Sequence, residues 1–122
     1  SLSLLISALE DPQVSIRLAA IEALLLQRDN IISIYLEPLL YDPEKSVQLA
    51  AIDAIGALES NQSLYALTGL LSDHDADIRL AAVIALGEIG DRQAALYLQH
   101  QLFDPDYRVR QNVQAIMQEL SE

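Results

Sequence analysis

The chain has 122 residues, no cysteine and a formal net charge of −11. So acidic a protein repels phosphate backbones and anionic lipid headgroups, which argues against nucleic-acid binding and against membrane-surface binding. Without cysteine the chain has neither disulfides nor thiolate metal sites, which fits a reducing compartment, and we expect a cytoplasmic protein with no membrane span.

Apolar residues recur at helical spacing along the whole chain, and no stretch alternates as a strand would. The predicted helices cover residues 1–9, 16–27, 31–40, 47–58, 64–71, 78–89, 94–102 and 109–120. Short polar turns separate them. Pro38 lies near the end of the third helix, where we expect a kink or a shortened helix. The sequence therefore predicts an all-α protein of eight helices in four antiparallel pairs.

The segment 73–90 shows the local pattern most clearly. Ile78, Ala82 and Ile89 fall on one face of a helix. Acidic residues precede this face, where carboxylates cap free N–H groups and meet the positive end of the helix dipole. Gly90 follows it and suits a left-handed C-cap.

The same pattern returns every 31 residues. The positions in register include Asp11, Asp42, Asp73 and Asp104, then Arg17, Gln48, Arg79 and Arg110, then Leu24, Ile55, Leu86 and Met117. A fixed period of this length is typical of a solenoid, in which each repeat packs only on its neighbours. We expect one domain, residues 1–122, with repeats at about 1–30, 31–61, 62–92 and 93–122.

The two ends of the array differ. The position that holds Ile21, Ile52 and Val83 becomes Gln114 in the last repeat, and a polar outer face is what a capping repeat requires. The first helix is apolar from Leu2 onwards. We expect that this is the C-terminal part of a longer protein, and that the uncapped N-terminal repeat promotes self-association. The alternative is a true start with an apolar first helix.

The repeats, among them "DPQVSIRLAAIEAL" and "DHDADIRLAAVIALGEIGD", resemble HEAT-like repeats of the phycobilisome-lyase type. The resemblance covers essentially the whole chain and implies a right-handed α-α superhelix, a HEAT-like solenoid whose usual role is protein–protein binding. It also implies a ladder in which a turn Asp and an Arg six residues later hydrogen-bond between repeats. The matching pairs are Asp11 with Arg17, Asp73 with Arg79 and Asp104 with Arg110. Asp42 is followed by Gln48 instead, so we expect a weaker rung in the second repeat.

Residues 73–77 contain three aspartates and a histidine, which raises the question of a metal site. A calcium loop requires glycine at its sixth position and glutamate at its twelfth, where this chain has Ile78 and Ile84. The only histidines, His74 and His100, have no glutamate beside them, and no serine has the setting of a catalytic nucleophile. We therefore predict no catalytic residues, no metal and no cofactor.

Leucines line one position of the second helices, opposite their core face. In a solenoid of helical hairpins the second helices line the concave side, so this row, bordered by acids, is a candidate contact patch. Its candidate partner-binding residues are Leu18, Glu22, Leu49, Asp53, Leu80 and Ile84. The alternative is that the leucines fill the narrow groove between adjacent helices, in which case Leu49→Asp would destabilise the fold.

The function that fits these features is a non-catalytic scaffold that binds another protein, with a basic or amphipathic segment as the expected partner. A different class of function is open because some proteins of the resembled type act on open-chain tetrapyrroles. The alternative is therefore a bilin lyase or chromophore-handling subunit.

Overall fold

The computed structural model describes all 122 residues, and it is entirely helical. The eight α-helices are α1 (Leu2–Ala8), α2 (Val14–Leu26), α3 (Ser33–Leu36), α4 (Lys45–Ala57), α5 (Leu64–Thr68), α6 (Ala76–Ile89), α7 (Ala94–Leu98) and α8 (Tyr107–Ser121). Short 3-10 turns lie at Asn30–Ile32, Glu37–Tyr41, Asn61–Ser63, Gly69–Ser72 and Gln99–Phe103. The all-α prediction of eight helices is confirmed.

The odd-numbered helices are short and the even-numbered ones are long. From α3 onwards, each first helix of a pair is only four or five residues long and passes directly into a 3-10 turn. Pro38 lies in the first of these turns. Because proline has no N–H, it suits the point where the α-helical hydrogen bonds of α3 stop. The later pairs change from α-helix to 3-10 turn in the same way, although they have no proline there. The continuous first helices expected in those pairs, 64–71 and 94–102, are therefore wrong: each is a short α-helix followed by a 3-10 turn.

Each second helix begins two residues earlier than expected. The side chain of Asp75 accepts a hydrogen bond from the N–H of Asp77, and Asp106 does the same for Arg108. These aspartates stand at the N-cap, so the acidic turn belongs to the start of the helix rather than preceding it.

The second helices end in a shared backbone conformation. Arg28, Glu59 and Gly90 occupy the same register position, and all three have a positive φ, of 54°, 52° and 72°. Only the third repeat has the glycine that adopts this left-handed conformation without a steric cost.

The second helices form a stack in which α2 packs on α4, α4 on α6 and α6 on α8. They enclose one hydrophobic core that runs through all four pairs, from Leu9 to Ile116. The core is wholly aliphatic, because all five tyrosines and the single phenylalanine are exposed. No helix has the length and hydropathy of a membrane span.

Candidate functional site

The ladder begins with an ion pair between the first two repeats. Arg17 donates from Nε to Asp42 Oδ2 at 2.9 Å and from Nη2 to Asp42 Oδ1 at 3.0 Å. Its remaining nitrogen, Nη1, donates to the backbone carbonyls of Asp11 and Pro12. The guanidinium is therefore shared between its own turn and the next one, and the bidentate geometry makes the contact both strong and directional.

A second rung repeats this geometry between the third and fourth repeats. Arg79 donates to the two carboxylate oxygens of Asp104 at 2.8 and 3.1 Å, and to the carbonyls of Asp73 and His74. Burial opposes ionisation of Asp104, but the hydrogen bonds from Arg79 and from the N–H of Asp106, together with the positive charge of Arg79, outweigh it and lower the pKa of that carboxyl. Each arginine thus meets its own turn through backbone carbonyls and the next turn through the carboxylate.

The middle junction lacks this rung. Gln48 donates to the carbonyl of Leu40 at 2.9 Å and does not reach Asp73. Asp73 accepts instead from a backbone N–H two residues further on. Arg110 in the last repeat bonds only the carbonyls of its own turn, one of them that of Asp104.

Buried serines join the second and third repeats instead. The Ser33 hydroxyl lies 2.8 Å from that of Ser60 and 2.9 Å from that of Ser63. Ser63 also donates to Glu37 at 2.8 Å. This network satisfies its buried hydroxyls at the junction where the arginine is missing.

Surface ion pairs connect the last three second helices at their starts. Lys45 lies 2.9 Å from Asp75 and 2.7 Å from Asp77, and Arg108 lies 2.9 Å from Asp77. The hydrogen bond with Asp77, followed by that with Asp75, raises the pKa of Lys45. The acids of residues 73–77 are therefore engaged in caps and ion pairs, and no three His, Asp or Glu side chains are grouped to hold a metal ion.

The predicted contact row is less open than expected. Leu18, Leu49 and Leu80 are half-buried and pack against the core. Ile84 is 40% exposed, so it is more open than the leucines. This packing agrees better with the alternative, in which the leucines fill the space between adjacent helices.

A groove of about 410 Å³ lies between α2 and α4. Leu18, Ile21, Glu22, Leu25, Ala50, Asp53, Ala54 and Ala57 line it. Three of the six predicted partner-binding residues, Leu18, Glu22 and Asp53, are therefore brought together there, while the other three lie elsewhere. The sequence reasoning missed the alanines, which form the apolar floor and carry no chemical signal of their own.

The groove exists where one register position changes. Leu25 in α2 occupies the position of Gly56 in α4 and Gly87 in α6. A Cβ at Gly56 would lie 2.9 Å from the backbone of Ala85, and one at Gly87 would lie 2.7 Å from the Ile116 side chain. Glycine thus permits close contact at the last two helix junctions, whereas a leucine side chain occupies that position at the first.

The second halves of the first three second helices carry exposed acids. These are Glu22 in α2, Asp53 in α4 and Glu88 in α6. Desolvation raises the pKa of Asp53, and desolvation together with the charges of Asp53 and Glu59 raises that of Glu88. The basic residues of these helices all lie at their starts, where Arg17 and Arg79 are held by the ladder and Lys45 by surface ion pairs. The exposed surface of this region is therefore acidic.

Comparisons with known proteins agree with this architecture. A family model described as HEAT repeats matches residues 32–117, well over half of the chain. The crystal structure of an engineered protein superposes with a TM-score of 0.70 at 19% sequence identity, over 98% of this chain and 62% of that one. This chain thus spans less than two thirds of that protein, and at such low identity the likeness concerns the fold alone. No curated protein sequence matches. The family model and the stacked helical pairs together show that the chain belongs to the HEAT repeat family.

Proposed function

We propose that the protein is a non-catalytic interaction scaffold that binds a basic, amphipathic segment of another protein on the face of its second helices. The observation that carries the proposal is the pairing of apolar surface with acids that have no cation beside them. Glu22, Asp53 and Glu88 take part in none of the ion pairs of the chain. A partner's lysines and arginines would supply the missing cations, and its apolar side chains would cover the exposed aliphatic surface.

Several features make this face suited to binding. Its helices pack on one continuous core, and the ladder joins the first repeat to the second and the third to the fourth, which limits the conformational freedom lost on association. The raised pKa values of Asp53 and Glu88 indicate carboxylates with incomplete hydration. Such groups lose less hydration on contact with a cation than fully solvated ones do.

The test is direct binding of a labelled synthetic peptide. A Leu/Lys peptide with helical amphipathic spacing should bind the wild-type chain, and its Leu/Glu counterpart should not. Replacing Glu22, Asp53 and Glu88 by their amides should weaken binding of the Leu/Lys peptide by roughly tenfold or more. Added salt should also weaken binding of this peptide to the wild type, because it screens the same charges.

The matched control removes the same charge from elsewhere. Glu10, Glu44 and Glu122 are exposed and lie outside the second halves of the second helices. Their replacement by glutamine should leave affinity nearly unchanged. Equal losses in both triple variants would mean that only net charge matters, and the proposed face would be wrong.

A role in handling open-chain tetrapyrroles is the alternative function. The acidic face does not favour it, because the propionate groups of such a chromophore are themselves anionic and would be repelled. A shift in the chromophore's absorption on mixing with the chain would support this alternative over the scaffold.

A further inference from the structure

We infer that the groove between α2 and α4 is the place where one α-helix of the partner binds, with its apolar stripe on the alanine floor and its basic residues beside Glu22 and Asp53. This binding site rests on the proposed function and adds to it where the partner binds, that the bound segment is a helix and which side of that helix meets the groove. No other junction between second helices has such a groove.

The shape follows from the register change described above. Across the later junctions, Gly56 approaches Ala85 and Gly87 approaches Ile116, in each case 29 residues further along the chain. The corresponding neighbour of Leu25 is Ala54, and both line the groove. At this junction the side chain of Leu25 stands at the rim, and the three alanines Ala50, Ala54 and Ala57 are too small to fill the space beside it.

The lining identifies a helix as the occupant. The walls and floor are aliphatic, and the only polar side chains among the lining residues are the two carboxylates. An extended peptide would place its own N–H and C=O groups against this surface without partners, which is unfavourable. A helix satisfies its backbone internally and presents only side chains to the groove.

The dimensions fit a short helical segment. Leu18 and Leu25 mark the two ends of the α2 wall, and Ala50 and Ala57 mark those of the α4 wall. Seven residues of helix span about 10.5 Å, or two turns. A partner helix of two to three turns with apolar residues at positions i, i+3 or i+4 and i+7 would match this length.

The charges identify the rest of the partner's surface. Glu22 stands on the α2 wall and Asp53 on the α4 wall, and both are exposed. Neither is ion-paired within the chain. A helix lying between them would meet one carboxylate on each flank, so lysine or arginine on both sides of its apolar stripe would be complementary.

The experiment fills the groove without changing charge. Ala50→Leu adds a side chain to a half-buried position on the floor, and Ala57→Leu does so further along α4. Ala115→Leu makes the same change at an exposed position of α8 and serves as the matched control. Anisotropy of a labelled Leu/Ala/Lys peptide with helical spacing measures affinity, and far-ultraviolet circular dichroism shows that each variant remains folded.

Each groove-filling variant should raise the dissociation constant by roughly tenfold or more, and the control should not. A peptide of the same composition, with its leucines distributed around the helix, should bind weakly to the wild type. If both filled variants are folded and bind normally while the triple amide variant binds weakly, the groove is not the binding site, but the proposed binding on the acidic face is still supported. If the wild type does not distinguish the Leu/Lys peptide from its Leu/Glu counterpart, both the proposed function and the binding groove are refuted.

Discussion

Gly56 in α4 faces Ala85 in α6 so closely that a Cβ at Gly56 would lie 2.9 Å from both the Cα and the Cβ of Ala85. We expect Gly56→Ala to destabilise the protein by about 1–2 kcal/mol, because the two helices would have to separate. Alanine favours a helix over glycine, so a loss of stability would report the contact itself. Gly69→Ala is the control, since the nearest atom there is the Tyr41 hydroxyl on an exposed side chain. Denaturant titration measures both, and equal stability of Gly56→Ala and the parent would contradict the close packing.

The ladder predicts unequal costs for its aspartates. Asp42→Ala removes both carboxylate contacts of the buried Arg17, so we expect a loss of about 3 kcal/mol or more. Asp73→Ala removes the turn hydrogen bond that its side chain accepts from the N–H of Asp75, which costs about 1 kcal/mol. The two unfolding free energies, compared under one condition, give the check. A greater loss for Asp73→Ala would show that the rungs are assigned wrongly.

The missing rung can be added. Gln48 occupies the register position of Arg17 and Arg79, and Asp73 occupies that of the carboxylates they bind. Gln48→Arg should therefore form a bidentate pair with Asp73 and stabilise the protein by about 1 kcal/mol. The same substitution in an Asp73→Asn background should gain less, and a double-mutant cycle measures the difference. A zero coupling energy would argue against the pair.

The left-handed residues at the ends of α2 and α4 offer a second route to stability. Arg28 and Glu59 hold φ values of 54° and 52°, which cost side-chain-bearing residues about 1 kcal/mol. Part of this is offset by the greater freedom of glycine in the unfolded chain, so we expect each glycine substitution to raise the unfolding free energy by about 0.5 kcal/mol. Gly90→Ala should lower it by about 1 kcal/mol. Thermal melts of the three variants suffice, and a loss on Glu59→Gly would contradict the prediction.

The carboxyl groups predict two opposite effects of pH on stability. The pKa of Asp104 is lower in the folded state than in the unfolded chain, so its stabilisation is present above the unfolded pKa of about 4 and is lost as the pH falls through the folded value. The pKa values of Asp53 and Glu88 are raised, so these groups destabilise the protein at neutral pH and this effect is relieved on mild acidification. Stability should therefore peak at mildly acidic pH. Replacing Asp53 and Glu88 by their amides should move the peak towards neutral pH, as urea titrations at several pH values would show.

The stability of a Leu49→Asp variant shows whether Leu49 is a packed residue or an exposed one. Its side chain is half-buried against the core, so Leu49→Asp should cost well over 0.5 kcal/mol, as burying a carboxylate does. Its effect on a partner would then be confounded with unfolding. Ile84→Asp, at the 40% exposed position, should leave stability nearly unchanged. Melting temperatures of the two variants distinguish the positions.

The sequence predicted the helices and their register because both depend on apolar spacing, which is legible residue by residue. It did not predict the groove, although Leu25, Gly56 and Gly87 stand in register. The consequence of that change depends on the distance between helices, which no local pattern contains. Similarly, the resemblance to HEAT-like repeats implied a ladder, but only the structure shows that Arg17 bonds the carboxylate of the next turn and the backbone carbonyl of its own.

The aliphatic core has a consequence for how this protein must be observed. Near-ultraviolet circular dichroism reports fixed packing through aromatic rings, and its loss is a hallmark of a molten globule. Here every tyrosine and the phenylalanine lie on the surface and tryptophan is absent, so a tightly packed core contributes almost no such signal. A featureless near-ultraviolet spectrum would therefore be compatible with a fully ordered protein, and methyl resonances or amide exchange would report the order of its interior.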